Sequence, residues 1–418
     1  MYRKFRADHL FTGHSLLPAN MVLITDEEGR VTDLVDAGAA GGGVEYFPGL
    51  LTPGFVNAHC HLELSHLKGL IPEHTGLVPF VQQVMAQRNR PEEMMQQAMQ
   101  DACAEMWQGG IVAVGDICNT AHSIPAKLNS PIRWHNFIEI TGFVERNAEK
   151  RLADARLIQE AFFKSATSSR VPAITLSPHA PYSVSGRLFD LLDVATAGQL
   201  ISMHSQETAD ENLFFEKKQG GFLQLYQQLG IDISHFSPPG KTSLQSTWPH
   251  LSQGQSVILV HNTFISQEDI DFVSGSQLSS ANCQQPMAND QPVTLNPQPA
   301  TSAPQPIFCL CPNANLYIEN RLPPVALLRK NNVLIVLGTD SYASNWQLSI
   351  LEEMKTLQQG CSLPLPELLK WATLNGAIAL RMSEQLGSFD KGKTPGIVWV
   401  DQLEGLQLSA ASASRRIL

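Results

Sequence analysis

Pro53-Gly54-Phe55-Val56-Asn57-Ala58-His59-Cys60-His61 carries more of the fold than any other stretch of the chain. A turn-forming Pro-Gly pair opens it, an apolar run follows, and two histidines two residues apart close it. Alternate side chains of a strand share a face, so both imidazoles point the same way from its carboxyl end. Two rings placed like that reach one metal ion. The competing reading is two histidines satisfied by backbone hydrogen bonds, and this stretch alone leaves both open.

Outward from it the pattern repeats. Short apolar runs fall at Gly54 to His59, Ile111 to Asp116, Ile132 to Ile138, Ala173 to Ser177, Leu200 to His204, Val257 to His261, Ile307 to Leu310 and Val333 to Gly338. Between them lie amphipathic stretches. Over 79–90, Phe80, Val81, Val84 and Met85 share one helical face, and over 94–107 so do Met95, Ala98, Ala102 and Met106. Eight apolar strands that do not alternate with polar residues, separated by helices, predict a (β/α)8 TIM-type barrel over 51–385. A doubly wound open sheet gives a similar pattern, and chemistry at the strand ends separates the two. Residues 1–50 and 386–418 are both strand- and turn-rich, with Met21-Val22-Leu23-Ile24-Thr25 in one and Ile397-Val398-Trp399-Val400 in the other. They predict one small β domain built from the two termini. Residues 274–306 are rich in Ser, Gln, Asn and Pro and read as a flexible insertion between the sixth and seventh strands.

The strand ends are where the chemistry gathers. His204 closes Leu200 to His204, with Glu207 three residues on; His261 closes the sixth run, and Asp340 follows the eighth. Each alone has a bland reading, a satisfied histidine or an aspartate capping the next helix. Together they match a barrel, whose catalytic groups sit at the carboxyl ends of its strands. Three of the strand-end histidines with the aspartate suit one divalent metal with a position left for water, Zn2+ first and Fe2+ or Mn2+ as alternatives.

Composition narrows the rest. The 418 residues are 43% hydrophobic with a formal net charge of -10, and no basic stripe invites a nucleic-acid polymer. No apolar run reaches membrane-spanning length, and the basic N-terminus lacks the apolar core of a secretory signal. Seven cysteines without framework spacing fit reduced thiols in the cytoplasm. Cys309 and Cys311 share a strand face and read as small buried side chains. His61-Leu62-Glu63 spells the H-x-E of cytidine-type zinc deaminases, but no P-C-x-x-C follows. Glu63 therefore either lines the pocket or faces solvent.

Six segments carry a resemblance: Pro-Gly-Phe-Val-Asn-Ala-His-Cys-His-Leu (53–62), Ser-Pro-His-Ala-Pro-Tyr-Ser (177–183), Met-His-Ser-Gln-Glu (203–207), Val-His-Asn (260–262), Cys-Pro-Asn-Ala-Asn-Leu (311–316) and Gly-Thr-Asp-Ser-Tyr-Ala-Ser-Asn (338–345). In content and order the chain resembles the amidohydrolase superfamily, in the branch of adenosine- and guanine-type aminohydrolases and triazine chlorohydrolases. The resemblance implies a mononuclear site held by His59, His61, His204 and Asp340, with Asp340 also taking the proton of the attacking water. It implies Glu207 as proton shuttle to a ring nitrogen, His261 as the group orienting that water, and His179 as a substrate contact. The fourth strand ends in Ser177-Pro178-His179 with no lysine, which speaks against a two-metal site. His61-Leu62-Glu63-Leu64-Ser65-His66-Leu67-Lys68-Gly69 is similar to bacterial aminodeoxyfutalosine deaminases of menaquinone biosynthesis. That implies removal of an amino group from 6-amino-6-deoxyfutalosine. The alternatives are S-adenosylhomocysteine, methylthioadenosine or guanine deamination, or a chlorohydrolase or amidase on the same scaffold. The expected partner is a small-molecule substrate, and the resemblance alone suggests a homodimer. Arg321 is a candidate for an anionic substrate group, and Tyr342 and Trp346 for a pocket wall, each against an ordinary surface or core role.

Overall fold

The computed structural model describes residues 2–165, 173–278 and 303–418. Both ends of the chain enter one sheet. Its strands are β1 (Arg3–Phe11), β2 (Leu16–Leu17), β3 (Met21–Thr25), β4 (Val31–Asp36) and β5 (Val44–Pro53), joined by β14 (Ile397–Val400) and β17 (Ser414–Arg416) in the order β17-β14-β5-β1-β3-β4. Leu51 of β5 lies opposite Trp399 of β14. Phe5, Leu23, Leu51, Phe389 and Ile397 close one apolar core between the two ends. A small hairpin, β15 (Leu403–Glu404) with β16 (Gln407–Leu408), precedes β17.

The middle of the chain forms two four-stranded parallel sheets. One runs β6 (Phe55–Cys60), β7 (Ile111–Cys118), β8 (Arg133–Ile140), β9 (Ala173–Pro178). The other runs β10 (Leu200–Ser205), β11 (Ser256–His261), β12 (Gln305–Leu310), β13 (Ile335–Leu337). These strands are buried on both faces, as parallel strands covered by helices must be. The period of two sorts their side chains. Val257, Leu259, Phe308, Leu310 and Leu337 join one apolar cluster, and Ile258, Val260, Cys309 and Val336 another.

The two sheets meet at two seams, and both lie beside the candidate residues. At one, the amide of Thr339 donates to the carbonyl of His59 at 3.0 Å, and Cys60 bridges Asp340 in parallel register. The Asn57 side chain clamps the same place, donating to Thr339 Oγ1 at 2.7 Å and accepting from the Thr339 amide at 3.1 Å. At the other, the amide of His204 donates to the carbonyl of His179 at 2.9 Å.

Three sequence expectations shift. The first helix is Leu77–Gln87 rather than 79–90, because Gly76 at φ +74° turns the chain in just before it. The second is Glu92–Gln108, starting directly after Pro91 with Glu92 and Glu93 in the first turn, where the helix dipole favours acids. Of the expected insertion, 279–302 lies outside the described residues. Its two flanks are regular structure: 274–278 finish the helix Gln267–Leu278, and Gln305 already pairs with Ser256 in β12.

Candidate metal centre and active site

Three strand ends, those of β10, β11 and β13, turn sharply into one place. His261, Asn262, Asp340 and Gln206 have φ of +75°, +55°, +56° and +47°. A left-handed backbone at residues with a Cβ costs about 1–2 kcal/mol each, and such strain clusters where function demands a particular aim. Here the aim is a common point. His61 Nε2 lies 3.2 Å from His59 Nε2, 3.2 Å from His204 Nε2 and 3.4 Å from Asp340 Oδ1. His59 Nε2 is 3.6 Å from the same oxygen. His261 also offers a ring nitrogen, within 4.8 Å of ligand atoms of His59, His204 and Asp340. All four residues named from the sequence as ligands are brought together, with His261 beside them.

The donor set fits a divalent cation. Two ligands about 2.0–2.1 Å from one tetrahedral ion sit about 3.3 Å apart, close to the spacings found here. Burial pushes the His61 and His204 imidazoles below their ordinary pKa and His261 down to about 3, so the rings are neutral. Burial works the other way on Asp340, but its contact with His59 and the surrounding imidazoles hold it well below the usual carboxylate range. Neutral imidazoles and an ionised carboxylate are the forms that ligate. His204 Nδ1 donates to the carbonyl of His179 at 2.8 Å, which leaves its Nε2 lone pair for a metal. His261 Nε2 is buried with no hydrogen-bond partner among the described residues. Ser344 donates to Asp340 Oδ2 and so turns Oδ1 toward the histidines.

A second cluster of Glu139, His179 and His204 also has ligating atoms close together. Two of its ring nitrogens are engaged in hydrogen bonds. His179 Nδ1 donates to Glu139 Oε1 at 2.7 Å, and His204 Nδ1 is taken by the His179 carbonyl.

Glu207 is buried, and its Oε1 lies 3.5 Å from His261 Nε2. Burial, then the charges of Asp340, Glu211 and Glu319, raise its carboxyl well above the ordinary range. Glu211 holds the turn that carries it, accepting from the amides of Gln206 at 3.0 Å and Glu207 at 3.4 Å. Asn315 Nδ2 donates to His261 Nδ1 at 3.4 Å.

A cavity of about 710 Å3 opens from this cluster. His61, His179, His204, Glu207, His261 and Asp340 line its floor. Its outer wall is apolar, with Phe80 and Val84 from the helix Leu77–Gln87, Phe143, and Leu225 and Tyr226 from the helix Gly221–Gln228. A larger cavity of about 1270 Å3 lies at the opposite, amino-terminal ends of the strands, near Val112, Arg133 and Leu200, and holds none of these residues.

Several side chains fall elsewhere than their sequence suggested. Glu63 neither lines the cavity nor faces solvent. It is buried, and its carboxylate accepts from the amides of Asn119 at 3.1 Å and Thr120 at 3.2 Å, bracing the turn after β7. Arg321 is exposed and lies over the Phe264 ring, away from the cavity. Trp346 donates to Glu73 at 2.8 Å and Tyr342 to Glu105, and neither is among the cavity-lining residues. Cys309 and Cys311 are buried, free thiols. Glu139, Asn119 and Glu211 were not anticipated. The one available signal was Glu139 at the tip of an apolar run, Ile132 to Ile138.

No helix among the described residues is long and apolar enough to cross a membrane. The amidohydrolase family model matches residues 50–414. An adenosine deaminase of Helicobacter pylori is 25% identical over 80% of this chain and 75% of its own length. An aminodeoxyfutalosine deaminase of Nitratiruptor is 24% identical over 85% of this chain and 80% of its own. The crystal structure of Helicobacter pylori aminofutalosine deaminase with methylthio-coformycin superposes with a TM-score of 0.74 at 20% identity, covering 97% of this chain and 93% of that one. The chain belongs to the amidohydrolase family, and it is a hydrolase of carbon–nitrogen bonds other than peptide bonds.

Proposed function

We propose that the protein is a hydrolytic deaminase of an adenine-type ring, replacing the exocyclic amino group by oxygen and releasing ammonia. The narrowest form of this reading is 6-amino-6-deoxyfutalosine as substrate, a step in menaquinone biosynthesis. One observation carries it: a buried carboxyl group, Glu207, faces the same cavity as a cluster of imidazoles and one carboxylate fitted to a cation. The names borne by the two relatives support it, one deaminating adenosine and the other aminodeoxyfutalosine. We also read the two parallel sheets as one closed (β/α)8 barrel joined at its seams, with the two chain ends as a separate small β domain. The active site then sits at the barrel's carboxyl face.

His59, His61, His204 and Asp340 would hold the metal, with Zn2+ the best match to three imidazoles and a carboxylate. The metal supplies Lewis acidity, which makes water a nucleophile at neutral pH. The residues of the chain do the rest. Asp340 Oδ1, turned inward because Ser344 holds Oδ2, is placed to take the proton of the attacking water. Glu207 is placed to give a proton to the ring nitrogen next to the reacting carbon, which lets that carbon accept the nucleophile. His261, steadied by Asn315, orients the water from the other side of Glu207. His179 reaches the cavity beside His204 and contacts the substrate. The apolar wall of Phe80, Val84, Phe143 and Tyr226 keeps bulk water from the reacting groups.

The test is an ammonia-release panel of adenosine, 5′-methylthioadenosine, S-adenosylhomocysteine, 6-amino-6-deoxyfutalosine, guanine and a chlorotriazine. Conversion of the adenine chromophore to hypoxanthine, fastest for the futalosine compound, is the expected result. Chloride release with no ammonia from any purine would sink the reading.

A further inference from the structure

We propose that Glu139 is a positioning residue: its carboxylate takes the Nδ1 proton of His179 and so presents His179 Nε2 to the substrate. The inference rests on the reading of His179 as a substrate contact. Glu139 stands near the end of β8, one strand over from His179. Its Oε1 lies 2.7 Å from His179 Nδ1, and its Oε2 accepts from Asn119 Nδ2 at 2.7 Å. With both oxygens engaged, the carboxylate cannot turn away.

The far end of this chain of bonds is anchored as well. The Asn119 amide donates to Glu63 Oε2, and Thr120 donates to Glu63 Oε1 through its amide and, at 2.9 Å, its hydroxyl. Glu63 follows His61 by two residues. The ends of β6, β7 and β8 thus converge on a histidine that follows β9, and none of Glu63, Asn119, Thr120, Glu139 and His179 is among the residues proposed to hold the metal.

Such an anchor has work to do. The outer torsion of a histidine is broad and roughly two-fold, so packing alone sets the ring plane but not which edge faces the cavity. Imidazole has two nitrogens, and a partner at one dictates the other's role. With Nδ1 given to Glu139, Nε2 is the nitrogen left, and it lies 3.4 Å from the Tyr182 hydroxyl at the cavity floor. Tyr182 is fixed in turn by stacking on Phe222 at 4.2 Å between ring centroids.

The experiment is a double-mutant cycle with the zinc-loaded enzyme and 5′-methylthioadenosine as probe: Glu139→Gln, His179→Asn and both together. Metal content and the histidine proton NMR spectrum are recorded for each. Glu139→Gln is expected to lower kcat/KM roughly 10–100-fold with metal content unchanged. In the His179→Asn background the same change is expected to alter kcat/KM by no more than about twofold, because its target is gone. A downfield, slowly exchanging His179 Nδ1 proton is expected in the unaltered enzyme and lost in Glu139→Gln. Equal losses in both backgrounds, no loss from Glu139→Gln, or absence of that proton would each overturn the proposal. A His179→Asn variant with unaltered kinetics would instead overturn the reading of His179 beneath it.

Discussion

Two buried polar clusters in this protein are built on opposite principles. The first is Lys127 with Asp116, Asn136 and Cys118. Lys127 Nζ is 2.5 Å from Asp116 Oδ2 and donates to Asn136 Oδ1 at 2.7 Å, while Asp116 Oδ1 accepts the Leu62 amide at 2.8 Å. Its charges cancel, and none of these side chains has an unsatisfied buried atom. The second is the His59, His61, His204, His261 and Asp340 cluster. There the ring nitrogens of His59, His61 and His204 face one another and Asp340 Oδ1, with His261 Nε2 beside them lacking a hydrogen-bond partner among the described residues. A self-satisfied cluster is architecture. A converging set of acceptors is costly unless something positive completes it. That contrast, rather than burial itself, is what supports the proposed role of the second cluster.

The contrast breaks most visibly if the metal is taken away. Dialysis against a strong chelator is expected to abolish turnover and to lower the unfolding temperature, with both restored by Zn2+. A metal at 100 times its dissociation constant stabilises the native state by about 2.7 kcal/mol. Asp340→Ala should reproduce the loss without rescue. Chelation that leaves activity and melting untouched would place this cluster in the same class as the Lys127 cluster.

Next in size is Glu207→Gln, which keeps shape and removes the transferable proton. It is expected to cost about 10²–10⁴-fold in kcat while metal content, measured by elemental analysis, stays at the unaltered level. Loss of metal in this variant would move Glu207 from proton transfer to metal binding.

Lys127→Met attacks the satisfied cluster. Removing one partner of a buried pair leaves Asp116 uncompensated, so a loss of about 3–5 kcal/mol in chemical denaturation is expected. Metal stoichiometry should not change. Lys127→Met combined with Asp116→Asn should recover part of the loss. The sharpest contradiction would be metal loss with stability intact, because then the Asp116 bond to the Leu62 amide would serve His61 rather than the fold.

Much of the second cluster was legible in the sequence, and little of the first. His59, His61, His204 and Asp340 each sit at or just past the end of an apolar run, and a period of two tells which way the paired histidines point. The eight runs likewise announced the parallel strands, since a strand buried on both faces has no polar alternation to hide it. Partnerships were not legible. Glu139 and His179 are 40 residues apart and meet only because β8 and β9 pair in register. Glu63 looked like half of a motif, and only the placement of the turn after β7 shows it to be a brace. Arg321 was attractive by charge alone and lies outside the cavity, because the chain leaves the helix Pro312–Glu319 through a left-handed Asn320 that carries it away.

The finest test of the comparison lies in one hydroxyl. Asp340 is aimed by two agents: its left-handed backbone at φ +56° and the hydrogen bond from Ser344 to Oδ2. Partners of ligands in metal sites are typically worth 10–100-fold in affinity, because they fix the orientation and basicity of the ligand. Ser344→Ala is therefore expected to weaken zinc binding roughly 10–100-fold in a chelator competition, with the melting temperature of the metal-free protein nearly unchanged. The Lys127 cluster offers no counterpart, since there every lost bond is lost from the fold itself. Should zinc affinity survive Ser344→Ala intact, the strained backbone alone would be holding Asp340, and the orientation of the carboxylate would have been set by the turn after β13 rather than by its neighbour.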